Sequence, residues 1–151
     1  MGIKLYILDN GYLECDKNWM VATSSVGTRR DRNCPSVWIQ IPTYSVLVDH
    51  PQGRFLFDLG CPANAKDGYW PPKLYDLFPY YYEDRQTLPS QLGLIGLKPA
   101  DVPVIIASHL HMDHVGNLSL FGHAEVYTHR REFESAQSIV RQDPDPEKHG
   151  A

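Results

Sequence analysis

The stretch that most constrains this chain is a short apolar run, Val102-Pro103-Val104-Ile105-Ile106-Ala107, which stops at Ser108-His109-Leu110-His111-Met112-Asp113-His114-Val115-Gly116-Asn117. The run is too short for a helix and uniformly apolar, which suits a strand buried on both faces. Just past its end lie three of the chain's seven histidines and an aspartate. In extended backbone, His109 and His111 project to one side, as two ligands of a single ion need. Asp113 and His114 come where Gly116-Asn117 turns the chain. They reach a point beside that ion more easily than they complete its shell. The spacing therefore predicts two metals about 3.5–4 Å apart, bridged by water or hydroxide. Imidazoles with one carboxylate suit zinc, and manganese, iron or cobalt also fit. The competing reading is that these histidines cap the next helix. It is the reading for His123, His129 and His149, whereas His50, in a tight turn, reads as a surface residue.

The rest of the sequence sets the frame. With 151 residues the chain has the size of one domain. Its apolar share of 42% and charged share of 21% are those of an ordinary globular protein. A net charge of -4 argues against a nucleic-acid partner. No apolar run is long enough to cross a membrane, and the N-terminus lacks a signal peptide's order. Cys15, Cys34 and Cys61 are odd in number and never spaced as C-x-x-C, so they read as free thiols in a reducing, cytoplasmic setting.

Along the chain, Ile3–Leu8 predicts a strand, Asn10-Gly11 a hairpin turn and Tyr12–Cys15 its return. Residues 16–36 read as a polar, irregular loop, with Thr28-Arg29-Arg30-Asp31-Arg32-Asn33 as a solvated charge run. Ser36–Val48 is strand-like, with Pro42 interrupting the ladder or marking an edge. Tyr44–Val48 and Arg54–Asp58 form a second hairpin. Asp58 ends an apolar strand, so it must be paired; it either caps the following turn or orients a metal-bound histidine. The aromatic, proline-rich stretch Tyr69–Tyr82 reads as the lining of an apolar pocket or a subunit contact. Pro89–Gly96 predicts a short helix with Leu92, Leu94 and Ile95 as its apolar residues. Ala124–Thr128 predicts a strand, and His129–Gln137 starts a helix carrying Phe133 and Ala136. The tail from Gln142 to Gly150 is polar and proline-broken, and reads as exposed.

H-x-H-x-D-H after an apolar strand, here His109, His111, Asp113 and His114, resembles the signature of the metallo-β-lactamase superfamily. Phe57-Asp58-Leu59-Gly60 resembles that family's first motif. Within it, the chain is most similar to the N-acyl-homoserine lactonases. That likeness rests on Lys4-Leu5-Tyr6, on Ser108-His109-Leu110-His111 and on Val126-Tyr127-Thr128-His129-Arg130-Arg131-Glu132-Phe133-Glu134. The resemblance implies an α/β (α+β) fold, the N-terminal αβ half of an αββα sandwich. It gives His109 and His111 to one zinc, Asp113 and His114 to the other, and a supporting place beside the metals to Asp58. Asp113 is also implicated in protonating the departing ring oxygen, and Met112 falls where a substrate-touching residue stands. The implied reaction is lactone opening by a metal-bridging hydroxide.

The family's second half supplies a further histidine for each metal, a bridging aspartate and a tyrosine, and none has a counterpart here. The ligand count agrees: a catalytic zinc wants about three protein ligands, and the loop offers two per ion. Residues 1–151 are thus expected to be one incomplete domain: a truncated product, one half of a nicked chain, or a half completed by a partner chain. One sheet face would then stay uncovered. The alternatives are a hydrolase of another ester, thioester or phosphoester, and a non-catalytic metal-binding half-domain whose aromatic stretch forms a homodimer surface.

Overall fold

A computed structural model describes residues 2–142; His149 and most of the predicted polar tail lie outside the described residues. The strands are β1 (Lys4–Asp16), β2 (Trp38–His50), β3 (Gly53–Phe57), β4 (Tyr80–Tyr81), β5 (Val104–Ile106) and β6 (Glu125–Tyr127). The helices are α1 (Lys17–Met20), α2 (Pro72–Leu77), α3 (Leu88–Leu94) and α4 (Arg130–Gln142). One six-stranded mixed sheet runs β4-β1-β2-β3-β5-β6. The β1–β2, β1–β4 and β2–β3 pairs are antiparallel, and the β3–β5 and β5–β6 pairs are parallel.

The first predicted hairpin does not form. β1 is a single long strand whose two arms both pair with β2, and the register shifts between Asp9 and Tyr12. A two-residue Asn-Gly hairpin of the preferred kind needs positive φ at both residues. Here only Gly11 has it, at 82°, which makes the pair a bulge. Asn10 is 1% exposed, and its Oδ1 accepts the Ser45 hydroxyl at 2.7 Å. Its carbonyl accepts Thr43 Oγ1 at 2.9 Å and the Tyr80 hydroxyl at 2.5 Å. Two hydroxyls thus satisfy the buried Asn10 carbonyl at the bulge, and a third satisfies its side chain. Pro42 sits opposite Tyr12, where β2 has not yet met β3, whose pairing begins at Val46. Its missing N–H costs no inter-strand bond on that side. The second hairpin forms in the expected place.

One face of the sheet carries the core. Leu8, Leu47, Leu56 and Ile105 pack with Leu88 and Leu92 of α3, Leu59, Val102 and Phe121. Leu13, Cys15 and Cys61 pack with Ala65, Trp70, Leu74, Phe78 and Tyr80. The aromatic stretch therefore mostly fills a second core cluster, since Trp70, Phe78 and Tyr80 are each at most 6% exposed. Within α3, Leu92 is buried, but Leu94 points outward at 73% exposure.

The opposite face is apolar and open. Ile7 stands opposite Val46, Val46 opposite Phe57, Phe57 beside Ile106 and Ile106 beside Tyr127. Leu5, Val48, Phe55 and Val104 form the parallel row. Ile7 is 76% exposed and Leu5 66%. β5 is accordingly buried on one face only: Ile105 is fully buried, while Val104 and Ile106 are half-buried. Its uniform apolarity reflects a second face that these residues leave bare.

Candidate metal centre

Past the ends of β3 and β5, two loops zip together. The Leu59 N–H donates to the His114 carbonyl at 2.8 Å and the Gly116 N–H to the Gly60 carbonyl at 3.1 Å. Asn117 Nδ2 donates to the carbonyls of Leu59 and Cys61, both at 2.8 Å. A Cβ at Gly116 would fall 2.7 Å from the Gly60 carbonyl oxygen, so only glycine permits this approach. From His111 to Val115 the chain makes one helical turn, in which the N–H groups of His114 and Val115 both reach the His111 carbonyl.

Asp58 is the hub. It is 7% exposed, and it is a non-glycine residue at φ 57°, a conformation that costs about 1 kcal/mol or more and marks functional sites. Its Oδ1 accepts the Ser108 N–H, and its Oδ2 accepts the Ser108 hydroxyl and faces His114 Nδ1, each at 2.8 Å. Burial works to raise the Asp58 pKa. The hydrogen bonds from His114 and Ser108 outweigh it and hold the carboxyl below the usual range.

Tethering Nδ1 directs the other nitrogen of His114 outward, and its Nε2 lies 3.3 Å from Asp113 Oδ2. The hydrogen bond to Asp113, then that to Asp58, lifts the His114 pKa to about 9 against the opposing effect of burial. Burial raises Asp113, but its hydrogen bond with His114 wins and leaves it lowered. His109 is lowered by burial and by its histidine neighbours. Its ring centre lies 4.5 Å from that of His111 and 3.9 Å from that of His114. All four side chains that the sequence singled out thus cluster together, with Asp58 behind them.

The donor types suit a divalent cation: imidazoles, a carboxylate, and a carboxylate fixing the far nitrogen of one imidazole, whose proton an arriving cation would displace. Among the described residues, no three His, Cys, Asp or Glu side chains are arranged around a single ion. The His109 ring lies nearer to that of His114 than to that of His111. His123 and His129 stand apart in helix-end and turn roles, with His123 Nε2 3.2 Å from the Val102 carbonyl and His129 Nδ1 accepting the Arg131 N–H.

The cluster opens into a cavity of about 660 Å³. Met112 lines it, but of the aromatic stretch only Phe78 does. Leu13, Trp19 and Met20, with Ile41, Pro42, Tyr44 and Phe57, make the rest of the apolar wall. Sequence reading missed α1 because a four-residue helix has no detectable period; its signal was Trp19-Met20-Val21, apolar within a polar loop. Ser108 and Glu132 were also missed. The Glu132 carboxylate accepts the Leu110 N–H at 3.1 Å.

This sheet, with its histidine loop beyond the strand ends, is the metallo-β-lactamase fold. A family model described as the metallo-β-lactamase superfamily matches residues 38–145, and the chain belongs to that superfamily. Among curated relatives, the N-acyl homoserine lactonase AiiB of Agrobacterium fabrum is 33% identical over 138 residues, covering 90% of this chain and 50% of the relative. The N-acyl homoserine lactonase of Bacillus cereus is 28% identical over 143 residues, covering 89% and 51%. A solved N-acyl homoserine lactone hydrolase, with N-hexanoyl-L-homoserine bound at its catalytic metal center, superposes with a TM-score of 0.70 at 26% identity, covering 91% of this chain and 53% of that one. The chain spans about half the length of the curated relatives it matches.

Proposed function

We propose that these residues form the N-terminal half of a metal-dependent hydrolase that opens the lactone ring of N-acyl-homoserine lactones. The observation that carries the reading is the Asp58-anchored cluster of His109, His111, Asp113 and His114 at the mouth of an apolar cavity. The relatives' activity on such lactones gives the substrate class. His109 and His111 would hold one ion and Asp113 and His114 a second, with zinc as the expected metal. Bound there, a divalent metal supplies Lewis acidity and lowers the pKa of water to about 7.

The chain's own residues do the rest. Asp58 keeps the His114 ring turned so that Nε2 faces the site. Asp113, ionised at neutral pH, takes the proton of the attacking water and returns it to the ring oxygen as the acyl C–O bond breaks. The product is the open hydroxy acid. Met112, Phe78, Trp19 and Met20 offer apolar wall to an acyl tail. Free thiols at Cys15, Cys34 and Cys61 fit a cytoplasmic setting, and no helix among the described residues is long and apolar enough to cross a membrane.

A second reading is a non-catalytic metal-binding half-domain, favoured because no three His, Cys, Asp or Glu side chains among the described residues are arranged around one ion. The test is metal content and lactone hydrolysis by residues 1–151, alone and then joined to a relative's C-terminal half. Weak metal uptake and no hydrolysis alone, with both gained on joining, is the expected result. Full activity of metal-loaded 1–151 would overturn the half-site reading, and joined halves that bind metal but spare lactones would overturn the substrate.

A further inference from the structure

We propose that Glu132 is a positioning residue for the metal loop, holding from α4 the backbone that aims His109 and His111. The inference rests on the metal reading above but concerns a residue to which that reading gives no part. Leu110 lies between the two histidines, so rotation of its peptide swings both of their Cα–Cβ bonds. Its N–H is met by Glu132 Oε1 at 3.1 Å, from 22 residues away. On the other side, the Ser108 N–H is held by Asp58. Beyond the last ladder bonds of β5, two carboxylates from different neighbours thus grip alternate amides of one short segment.

Core packing does not explain where Glu132 sits. α4 has no buried residue, and along it only Glu132 and Ala136 are even half-buried. Nor does charge pairing, since Glu132 makes no ion pair among the described residues. What its carboxylate does is accept a backbone hydrogen bond, and a charged acceptor makes that bond about twice as strong as a neutral one. Contacts of this kind orient ligands without touching the ion.

The experiment uses residues 1–151 as wild type, Glu132→Ala, Glu132→Gln and Glu134→Ala, the last an exposed glutamate of the same helix. Two quantities are read: hydrogen exchange of the Leu110 and Ile105 amides without metal, and cobalt(II) affinity from its visible absorption. Glu132→Ala is expected to speed exchange at Leu110 about tenfold, the worth of one such bond, with Ile105 unchanged. Cobalt affinity is expected to fall about ten- to a hundredfold. Glu132→Gln keeps an acceptor oxygen and restores most of both, and Glu134→Ala leaves both at wild type. Unchanged Leu110 exchange or unchanged cobalt affinity in Glu132→Ala overturns the proposal. So does a Gln variant as impaired as the Ala variant, or loss of Ile105 protection, which would make the role one of folding. Wild type that takes up no cobalt sinks the metal reading itself; uptake equal in wild type and Glu132→Ala sinks only the role of Glu132.

Discussion

Asp58→Asn perturbs the site without changing the volume of a single side chain. Asparagine tolerates the positive φ of 57° at this position, so backbone strain is not altered. The change lies in the hydrogen bonds. The carboxylate accepts from the Ser108 N–H and hydroxyl and pairs with His114 Nδ1. An amide that keeps its oxygen on the Ser108 N–H turns its NH₂ toward the other two groups. Being 7% exposed, residue 58 has no water to substitute. A hydrogen bond involving charged groups is worth about 1.5–3 kcal/mol, so about 2 kcal/mol is expected from the His114 contact alone. With a urea slope of about 1.5 kcal/mol/M, the unfolding midpoint of the metal-free chain should fall by roughly 1.3 M. A second readout isolates the cause. Asp113 contributes most to the His114 pKa of about 9 and Asp58 next, so the variant's His114 should titrate lower by NMR while staying above 6.5. A midpoint within about 0.3 M of wild type with an unmoved His114 would refute the assignment of Asp58 as the hub.

Gly116→Ala forces a Cβ against the Gly60 carbonyl, 2.7 Å away, and against Pro62. Overpacking of this kind costs about 1–3 kcal/mol, read as a lower thermal midpoint. The His114 pKa is raised above its unfolded value of 6.5 to about 9, so its stabilising effect is complete below that unfolded value and is lost as pH rises through the folded one. The metal-free unfolding free energy should fall as pH rises between those two values, by no more than about 1–2 kcal/mol after discounting for partial exposure, read as a falling thermal midpoint; a flat profile there contradicts the pairing. Asp58 and Asp113, both lowered, act at the other end, stabilising above the unfolded carboxylate pKa and failing as pH falls through their folded values. Ile7→Ser, at a residue 76% exposed, should leave the unfolding free energy within about 0.5 kcal/mol of wild type while reducing binding of a hydrophobic dye. Unchanged dye binding would show that the open face does not behave as a patch.

The sequence made some of this legible and hid the rest for physical reasons. The histidine loop could be read because its meaning lies in residue types at fixed spacing next to an apolar run. β2 and β3 could be read because β-branched and aromatic residues flank a turn-forming Asp49-His50-Pro51-Gln52-Gly53. Asn10-Gly11 misled because a bulge and a tight turn both ask for a positive φ at glycine, and the choice between them is made by β2, a partner far along the chain. The aromatic stretch misled for the opposite reason. Counting rings cannot tell a lining from a filling, and Trp70 and Tyr80 are held inward by the second core cluster. Asp58 is legible as an acid that must be paired, but its hold on Ser108 and that of Glu132 on Leu110 span 50 and 22 residues, and no local pattern announces those partners.

The open sheet face and the histidine cluster share a border. Phe57 and Tyr44 belong to the bare face, and both also line the cavity that holds His109, His111, Asp113 and His114. Whatever buries Ile7, Val46, Phe57 and Ile106 must therefore reach the rim where the metal-capable side chains sit. Burying each large apolar side chain is worth about 1.5–3 kcal/mol, so covering the face supplies a strong drive for association that the polar loop could not supply itself. The row from Ile7 to Tyr127 thus adjoins the histidine cluster through Phe57 and Tyr44, so a cover on that face would also narrow the cavity.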